Sequence, residues 1–343
     1  MTTARRRLLL VLMAAVVLLV GALLVLLRDD GPDTRTGRRA TAGPPVTSPT
    51  VLPLLGTRGE PPVRAALGVK IDNTDRGRPP TGLRQADVVF EEVVEGGLTR
   101  LLAVYHSEDL DEVGPVRSAR STDLAVLAEL GRPLFAWSGA NPTFRAAVEA
   151  ADLADVGFSA VPAAYWRDGD RRAPYNLLAD PAGLWAAVEA GTPPPMLFTY
   201  RAEGDPLDGP GVRPAAGFRA STFATSIEWA WNGQTRLWER VQNGTPHVDS
   251  AGDRIAVPNV VVRTTPYRDS GVRDSTGAVV PEAAAVGEGD AWLLSDGGAQ
   301  PARWSKTSEE GPTVYTTTDG RPLELTPGQT WVEILPPGTG EVL

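Results

Sequence analysis

Apolar and polar positions divide the chain into three unlike stretches. An uninterrupted uncharged run spans Leu8 to Leu27, residues 28–62 are dominated by Gly, Pro, Thr, Ser and Arg, and beyond residue 63 apolar positions recur with the short periods of strands and helices. As a helix the first run is roughly 30 Å long, enough to cross the hydrocarbon core of a bilayer. It outlasts the apolar region of a cleaved signal peptide and stops at Arg28-Asp29-Asp30 without a small-x-small cleavage site. Arg5, Arg6 and Arg7 in front of it keep residues 1–7 cytoplasmic and place 28–343 outside the cell membrane. A long signal peptide that is removed is the alternative, and it too leaves the bulk of the chain extracytoplasmic. Residues 28–62 read as a linker: the composition buries too little apolar surface to fold, and Gly43-Pro44-Pro45 and Pro61-Pro62 favour extended backbone.

A buried strand is expected near Ala65–Ile71, and Ala86–Glu95 and Leu98–His106 read as two strands joined at Gly96-Gly97. A helix is predicted from about Ser121 to Leu130, ending at Gly131. Asn141-Pro142 and Asp180-Pro181 each set an N-cap residue before proline at the first helical position, and the second of these helices should run to Gly191. The Pro- and Gly-rich stretch from Gly191 to Arg219 marks a boundary between a mixed α/β domain over 63–205 and a β-rich domain over 206–335, with 336–343 as a tail. In the second domain Ile227–Trp231 alternates, a two-residue turn is expected at Asn232-Gly233, and Arg236–Val241 returns. Asp319-Gly320 supplies another turn, and Val257–Thr264, Ala291–Leu294, Val314–Thr317 and Thr330–Leu335 are the remaining strands. The fold class is therefore α+β, preceded by one transmembrane helix. No internal repeat is visible.

Composition narrows the chemistry. The absence of cysteine excludes disulfides, thiol catalysis, Cys-ligated zinc and a lipid-modified cysteine anchor, and with only His106 and His247 no multi-histidine metal site can form. The net charge of −9, more negative still without the three N-terminal arginines, makes the ectodomain a poor partner for nucleic acid. Neither a phosphate-binding loop nor a dinucleotide fingerprint is present, so no cofactor is expected. Asp72–Gly77 superficially follows a calcium loop, but Arg76 and Leu83 stand where oxygen ligands are needed, and the stretch reads as a turn. Nothing in the spacing singles out a serine for either histidine.

The densest candidate cluster is Gly114–Arg120, just ahead of a predicted helix. Helix N-termini attract anions, and Arg117 and Arg120, with Ser118 between them, add guanidinium forks suited to phosphate or carboxylate. The structural alternative is that these arginines pair with Glu91 or Glu95. On one strand Glu91 and Glu95 share a face, opposite Glu92, but four residues separate their Cα atoms by roughly 13 Å. The paired carboxyls of glycosidases lie roughly 5–10 Å apart, which disfavours that reading. Asp72 and Asn73, at the C-terminal end of a buried strand, are pocket candidates, as is Arg100. Arg167, Tyr175 and Asn176 form a third polar-aromatic group, with an exposed loop as the alternative, whereas Trp229 and Trp231 are expected in the core rather than as a sugar platform.

Several segments together resemble the YerB-like family of bacterial extracytoplasmic proteins. They are Val69–Asn73, Gly82–Asp87, Glu91, Glu95–Arg100, Gly114–Arg120, Ala173–Leu177, Gly244–Asp249, Asn259–Val262 and Leu325–Val332, and the similarity spans roughly 63–335. The resemblance implies an extracytoplasmic two-domain protein, mixed α/β then β-rich, and implies no particular reaction. Two departures stand out: many relatives look like lipoproteins while this chain has no cysteine, and relatives usually carry histidine where Tyr175 stands. The reading that results is a single-pass membrane protein whose ectodomain binds an anionic cell-envelope ligand: a glycan, a peptide stem or a phosphorylated precursor. An envelope hydrolase or transferase with an acidic general base, and a scaffold for an envelope protein, are the alternatives.

Overall fold

The computed structural model describes residues 50–189, 191–274 and 277–343. The expected cytoplasmic tail, the span over 8–27 and the linker up to residue 49 lie outside these residues. Among the described residues no helix is long and apolar enough to cross a membrane. Folded structure begins earlier than the expected end of the linker at residue 62. Val51 bridges to Arg58, Leu54 is fully buried, and the Leu54 carbonyl accepts a hydrogen bond from the Tyr200 hydroxyl at 2.6 Å. The apolar sequence Val51-Leu52-Pro53-Leu54-Leu55 explains why this end of the stretch packs.

The first half of the chain carries strands β1 (Leu67–Asp72), β2 (Val88–Val93), β3 (Thr99–Tyr105), β4 (Leu134–Ala136) and β5 (Ala154–Asp155). Its helices are short: α1 (Ser121–Leu127), α2 (Pro142–Ala150) and α3 (Pro181–Ala186). The second half supplies β6 (Gly217–Ser221), β7 (Ser226–Asn232), β8 (Leu237–Gln242), β9 (Asn259–Thr264), β10 (Tyr267–Arg273) and β11 (Val279–Ala283). It continues with β12 (Gly287–Ser295), β13 (Gly298–Lys306), β14 (Val314–Thr317), β15 (Thr330–Leu335) and β16 (Gly340–Val342). The protein is mainly β, and strands from both halves enter one sheet in the order β14-β13-β12-β9-β15-β2-β3-β1-β4-β5. At its centre β15 runs parallel to β9 on one side and to β2 on the other, with Val88 opposite Thr330 and Glu92 opposite Ile334. Every residue of β15 is buried, as a strand covered on both faces must be.

A second sheet orders β8-β7-β6-β16 and covers one face of the first. Phe218, Ile227, Trp229 and Trp238 pack with Val89, Leu101, Val260, Val262 and Trp331. On the other face α1 and α2 bring Val126, Leu127 and Val148 against Val88, Leu102, Val261 and Val332. The two expected core tryptophans differ in depth: Trp229 is buried edge-on against Trp331, while Trp231 is half-buried and tilts against Trp238.

Three local expectations are corrected. The β7–β8 connection is a four-residue loop, because the Asn232 side chain accepts from Gln234 N and Thr235 N and Arg236 takes the left-handed conformation (φ 56°). Helix α3 stops at Ala186 rather than Gly191, and Asp180 does not cap it through its side chain. Gly191 lies against Ala65, so closely that an added Cβ would come within 2.5 Å of the Ala65 methyl. Residues 340–342, expected in a tail, form β16 and pair with Phe218–Ala220.

Between the sheets lies a fully buried polar layer. Arg240 Nη2 donates to both carboxylate oxygens of Glu91, at 2.7 and 2.8 Å. Arg240 Nη1 donates to Gln242 Oε1 at 2.6 Å and to His247 Nδ1 at 2.9 Å. Arginine only donates, so His247 is the acceptor and carries its proton on Nε2. Burial, and then the Arg240 charge, hold its pKa well below the usual imidazole range. The Trp331 indole adds a bond to Glu91 at 3.2 Å, and that of Trp229 binds Glu333 at 2.8 Å. Two carboxylates thus face one arginine, and burial, then the Glu91 charge, push Glu333 up to about 8.

This imbalance makes stability depend on pH in a definite direction. Because the folded pKa of Glu333 exceeds its unfolded value, the native state holds a proton that the unfolded state has released, and stability falls as pH rises toward 8. Asp87 and Asp123, each pushed up to about 6 chiefly by burial, act the same way at lower pH, and the lowered histidines act oppositely. The interval from pH 6.5 to 8 isolates Glu333. Urea unfolding should show the native protein losing on the order of 1 kcal/mol across it, and E333Q losing almost none. Parallel curves for the two proteins would place the proton elsewhere.

Candidate functional site

On the helix-bearing face of the large sheet the ends of several elements enclose a cleft of about 790 Å³. Its walls are Thr74 beyond β1, the turn from Val94 to Leu98, Arg100 at the start of β3, Arg117 to Arg120 ahead of α1, Gly139 to Phe144 leading into α2, and Tyr175. The β10–β11 hairpin closes the remaining side with Arg273, Asp274, Ala278 and Val280. Glu95, Arg100, Arg117, Ser118, Arg120 and Tyr175, singled out in the sequence, meet here.

The three arginines are held differently. Arg117 Nε lies 2.9 Å from Oδ2 of the fully buried Asp72, its guanidinium sits 5.2 Å from the Tyr175 ring centroid, and Nη1 donates to Pro174 O at 3.3 Å. Asp72 is fixed in turn by Thr74, whose backbone N–H and hydroxyl donate to its other oxygen at 2.7 and 2.6 Å. Arg120 Nη2 pairs with Glu95 at 2.6 Å, and its Nη1 donates to Ala119 O at 2.8 Å. Arg100 makes one long bond, from Nη1 to Ser118 O at 3.4 Å, and among the described residues no carboxylate stands within 4 Å of it. Burial, and then the neighbouring charges of Arg120 and Arg117, lower its pKa to about 10 against the pull of Glu95 and Asp72. Three guanidinium groups against two carboxylates leave the floor of the cleft with excess positive charge, focused on Arg100.

Other candidates lie elsewhere. Asn73 and Glu91 face the inter-sheet layer, where Asn73 Nδ2 donates to Glu91 Oε1 at 3.0 Å and to Thr99 Oγ1 at 2.8 Å. Asp72 stands behind the cleft as the partner of Arg117. Arg167 donates to Asn176 Oδ1 at 2.8 Å within a small hairpin, Tyr165–Arg167 with Leu177–Ala179, that does not line the cleft. The half that carries Asn176 positions the neighbouring Tyr175, since Asn176 Nδ2 also holds Asp168 O at 3.1 Å. Glu91 and Glu95 do not share a face: β2 ends at Val93, the chain turns through Gly96 (φ 68°) and Gly97 (φ 75°), and Glu95 swings to Arg120.

The N-terminus of α1 is also not an open anion site. Asp123 reaches back to the Arg120 N–H at 2.7 Å, and its other oxygen pairs with the buried Lys70 at 2.7 Å. Lys70 also contacts Glu92, so the floor beneath the cleft is a second buried ion cluster. The histidines take no catalytic arrangement, since the rings hydrogen-bond to Pro62 O and to Arg240. Arg273, Asp274 and Phe144 were not anticipated. Tyr267–Val280 is polar and glycine-broken and gives no strand pattern, and Phe144 shows only as one apolar residue of α2.

The N-terminal domain of a protein of unknown function (DUF3048) matches residues 55–193, and the C-terminal domain of the same description matches 218–332. The chain belongs to the DUF3048 family. It is 25% identical over 298 residues to "Putative lipoprotein YerB" of Bacillus subtilis (strain 168), covering 83% of this chain and 86% of that one. It also shares the fold of the crystal structure of YerB protein from Bacillus subtilis, with a TM-score of 0.71 and 22% identity over 86% of this chain and 99% of that one. In this DUF3048 protein the cleft is lined by both family domains, the arginines from the N-terminal one and the β10–β11 hairpin from the C-terminal one.

The unequal pairing of the arginines predicts unequal effects on stability. R117A strips a fully buried aspartate of its partner and should cost about 3 kcal/mol or more in urea unfolding. R100M removes a cation from beside two others and should change stability by less than about 1 kcal/mol. Equal, large losses would make Arg100 part of the scaffold.

Proposed function

We propose that this protein is a membrane-anchored extracytoplasmic binding protein for an anionic cell-envelope ligand, held in the cleft around Arg100. The observation that carries the reading is a half-buried guanidinium with no carboxylate within 4 Å among the described residues, beside two arginines that have theirs. A bound anion would supply the missing charge, and the preorganised donors would bind it without rearrangement. The acids give little support to hydrolysis: Glu91 is fully buried and already bound by Arg240, and Glu95 is engaged by Arg120.

Sequence and kinship support this setting. A Bacillus relative carries the name of a lipoprotein, which suggests an extracytoplasmic place at the membrane. This chain has no cysteine to acylate, so the apolar run Leu8–Leu27 takes over the anchoring as a single-pass helix.

The test is incubation of the detergent-solubilised chain with fragmented cell wall and envelope precursors, with mass spectrometry of retained ligands and of products. Retention of an anion should fall at least tenfold in R100M, about 1.4 kcal/mol, and weaken with added salt, with no product formed. Product formation would make the protein an enzyme, and retention indifferent to R100M would move the binding site out of the cleft.

A further inference from the structure

The charges and walls of the cleft restrict what the anion can be. Resting on the reading just given, we infer that the ligand is the C-terminal end of a short peptide with small apolar side chains, its carboxylate gripped by Arg100. The first reason is charge. Asp72 pairs with Arg117, Glu95 with Arg120, and Arg273 with Asp269 at 3.0 Å, so among the described residues Arg100 is the cleft arginine with no carboxylate within 4 Å. That matches a head group of one negative charge. A phosphate monoester or pyrophosphate would bring further charge toward Glu95 and Asp274, which stand on the same walls.

The second reason is shape of donation. Arg100 uses a single N–H in one long bond, leaving the rest of its planar fork for an acceptor, and a carboxylate takes two parallel bonds from such a fork. The third is the wall. Val94, Leu98, Phe144 and Val280 give the cleft an apolar side, which suits methyl-sized side chains beside the head group. Glu95, on the cleft wall beside Arg120, also offers a carboxylate to the N–H groups that a peptide carries and a phosphate or fatty acid lacks. A cleft of about 790 Å³ has room for several such residues.

The probes are trialanine, trialanine amide and dimethyl phosphate, titrated calorimetrically into the detergent-solubilised full-length chain and its R100M and R100K variants. Trialanine should bind, the amide should bind at least tenfold more weakly, and R100M should lose at least tenfold. R100K, which keeps the charge without the fork, should fall between, and it decides the matter should R100M fail to fold. Equal binding of amide and acid overturns the carboxylate assignment. Arg100-dependent binding of dimethyl phosphate without trialanine binding overturns the peptide and leaves the anion site standing. No Arg100-dependent binding of any probe, with no anion retained from cell wall, overturns both.

Discussion

The carboxylate of Glu91 and the guanidinium of Arg240 lie 149 positions apart in sequence and meet at 2.7 Å in a layer from which water is excluded. Burying either alone costs several kcal/mol, so the two sheets that carry them are favoured only in the register that brings them together. Trp229 and Trp331 flank the guanidinium at 5.9 and 5.0 Å and give their indole N–H groups to the two glutamates, which leaves an alternative packing of the sheets with unsatisfied polar groups. Apolar contact supplies most of the driving force between the sheets, and the ion pair specifies which residues face which.

Strand β2 distributes the consequences because successive residues point to opposite faces. Glu91 faces the second sheet and Arg240, while Glu92 faces the helices and meets Lys70, which also holds Asp123. Asp123 in turn binds the backbone of Arg120, one of the cleft arginines. The cleft floor therefore rests on buried charges whose own pairing is satisfied by the sheet. That support holds three guanidinium groups close together although they repel one another, a geometry that an exposed loop would relax by letting the side chains drift apart.

Much of the fold was legible because it rests on local pattern. Val314–Thr317 and Thr330–Leu335 appear as strands with the expected bounds, Ser121 opens a helix that ends in a 3-10 turn before Gly131, and Asn141 caps α2 through its side chain. The four-residue loop at 233–236 escaped because side-chain hydrogen bonds of Asn232 hold it, and the early end of α3 because Gly191, read as its C-cap, packs against Ala65 instead. Of the candidate site, Glu95, Arg100, the run from Arg117 to Arg120 and Tyr175 were visible as residue types in suggestive company. The β10–β11 hairpin was invisible, since β10 is polar and broken by Gly271 and β11 is a short run interrupted by Pro281, so neither carries a period.

What the sequence by itself determined is the inventory: an apolar run long enough to span a bilayer, no cysteine, two histidines, two successive segments of strand-forming pattern, and a cluster of arginines ahead of a helix. These depend on neighbours along the chain and on composition. Which arginine is paired and which is not, that Glu91 serves the core while Glu95 serves the cleft, and that both halves share one sheet through β15 were decided only by tertiary structure. Charge compensation and strand pairing act over distances of a few ångströms between residues tens to hundreds of positions apart, and one-dimensional pattern carries no record of that proximity.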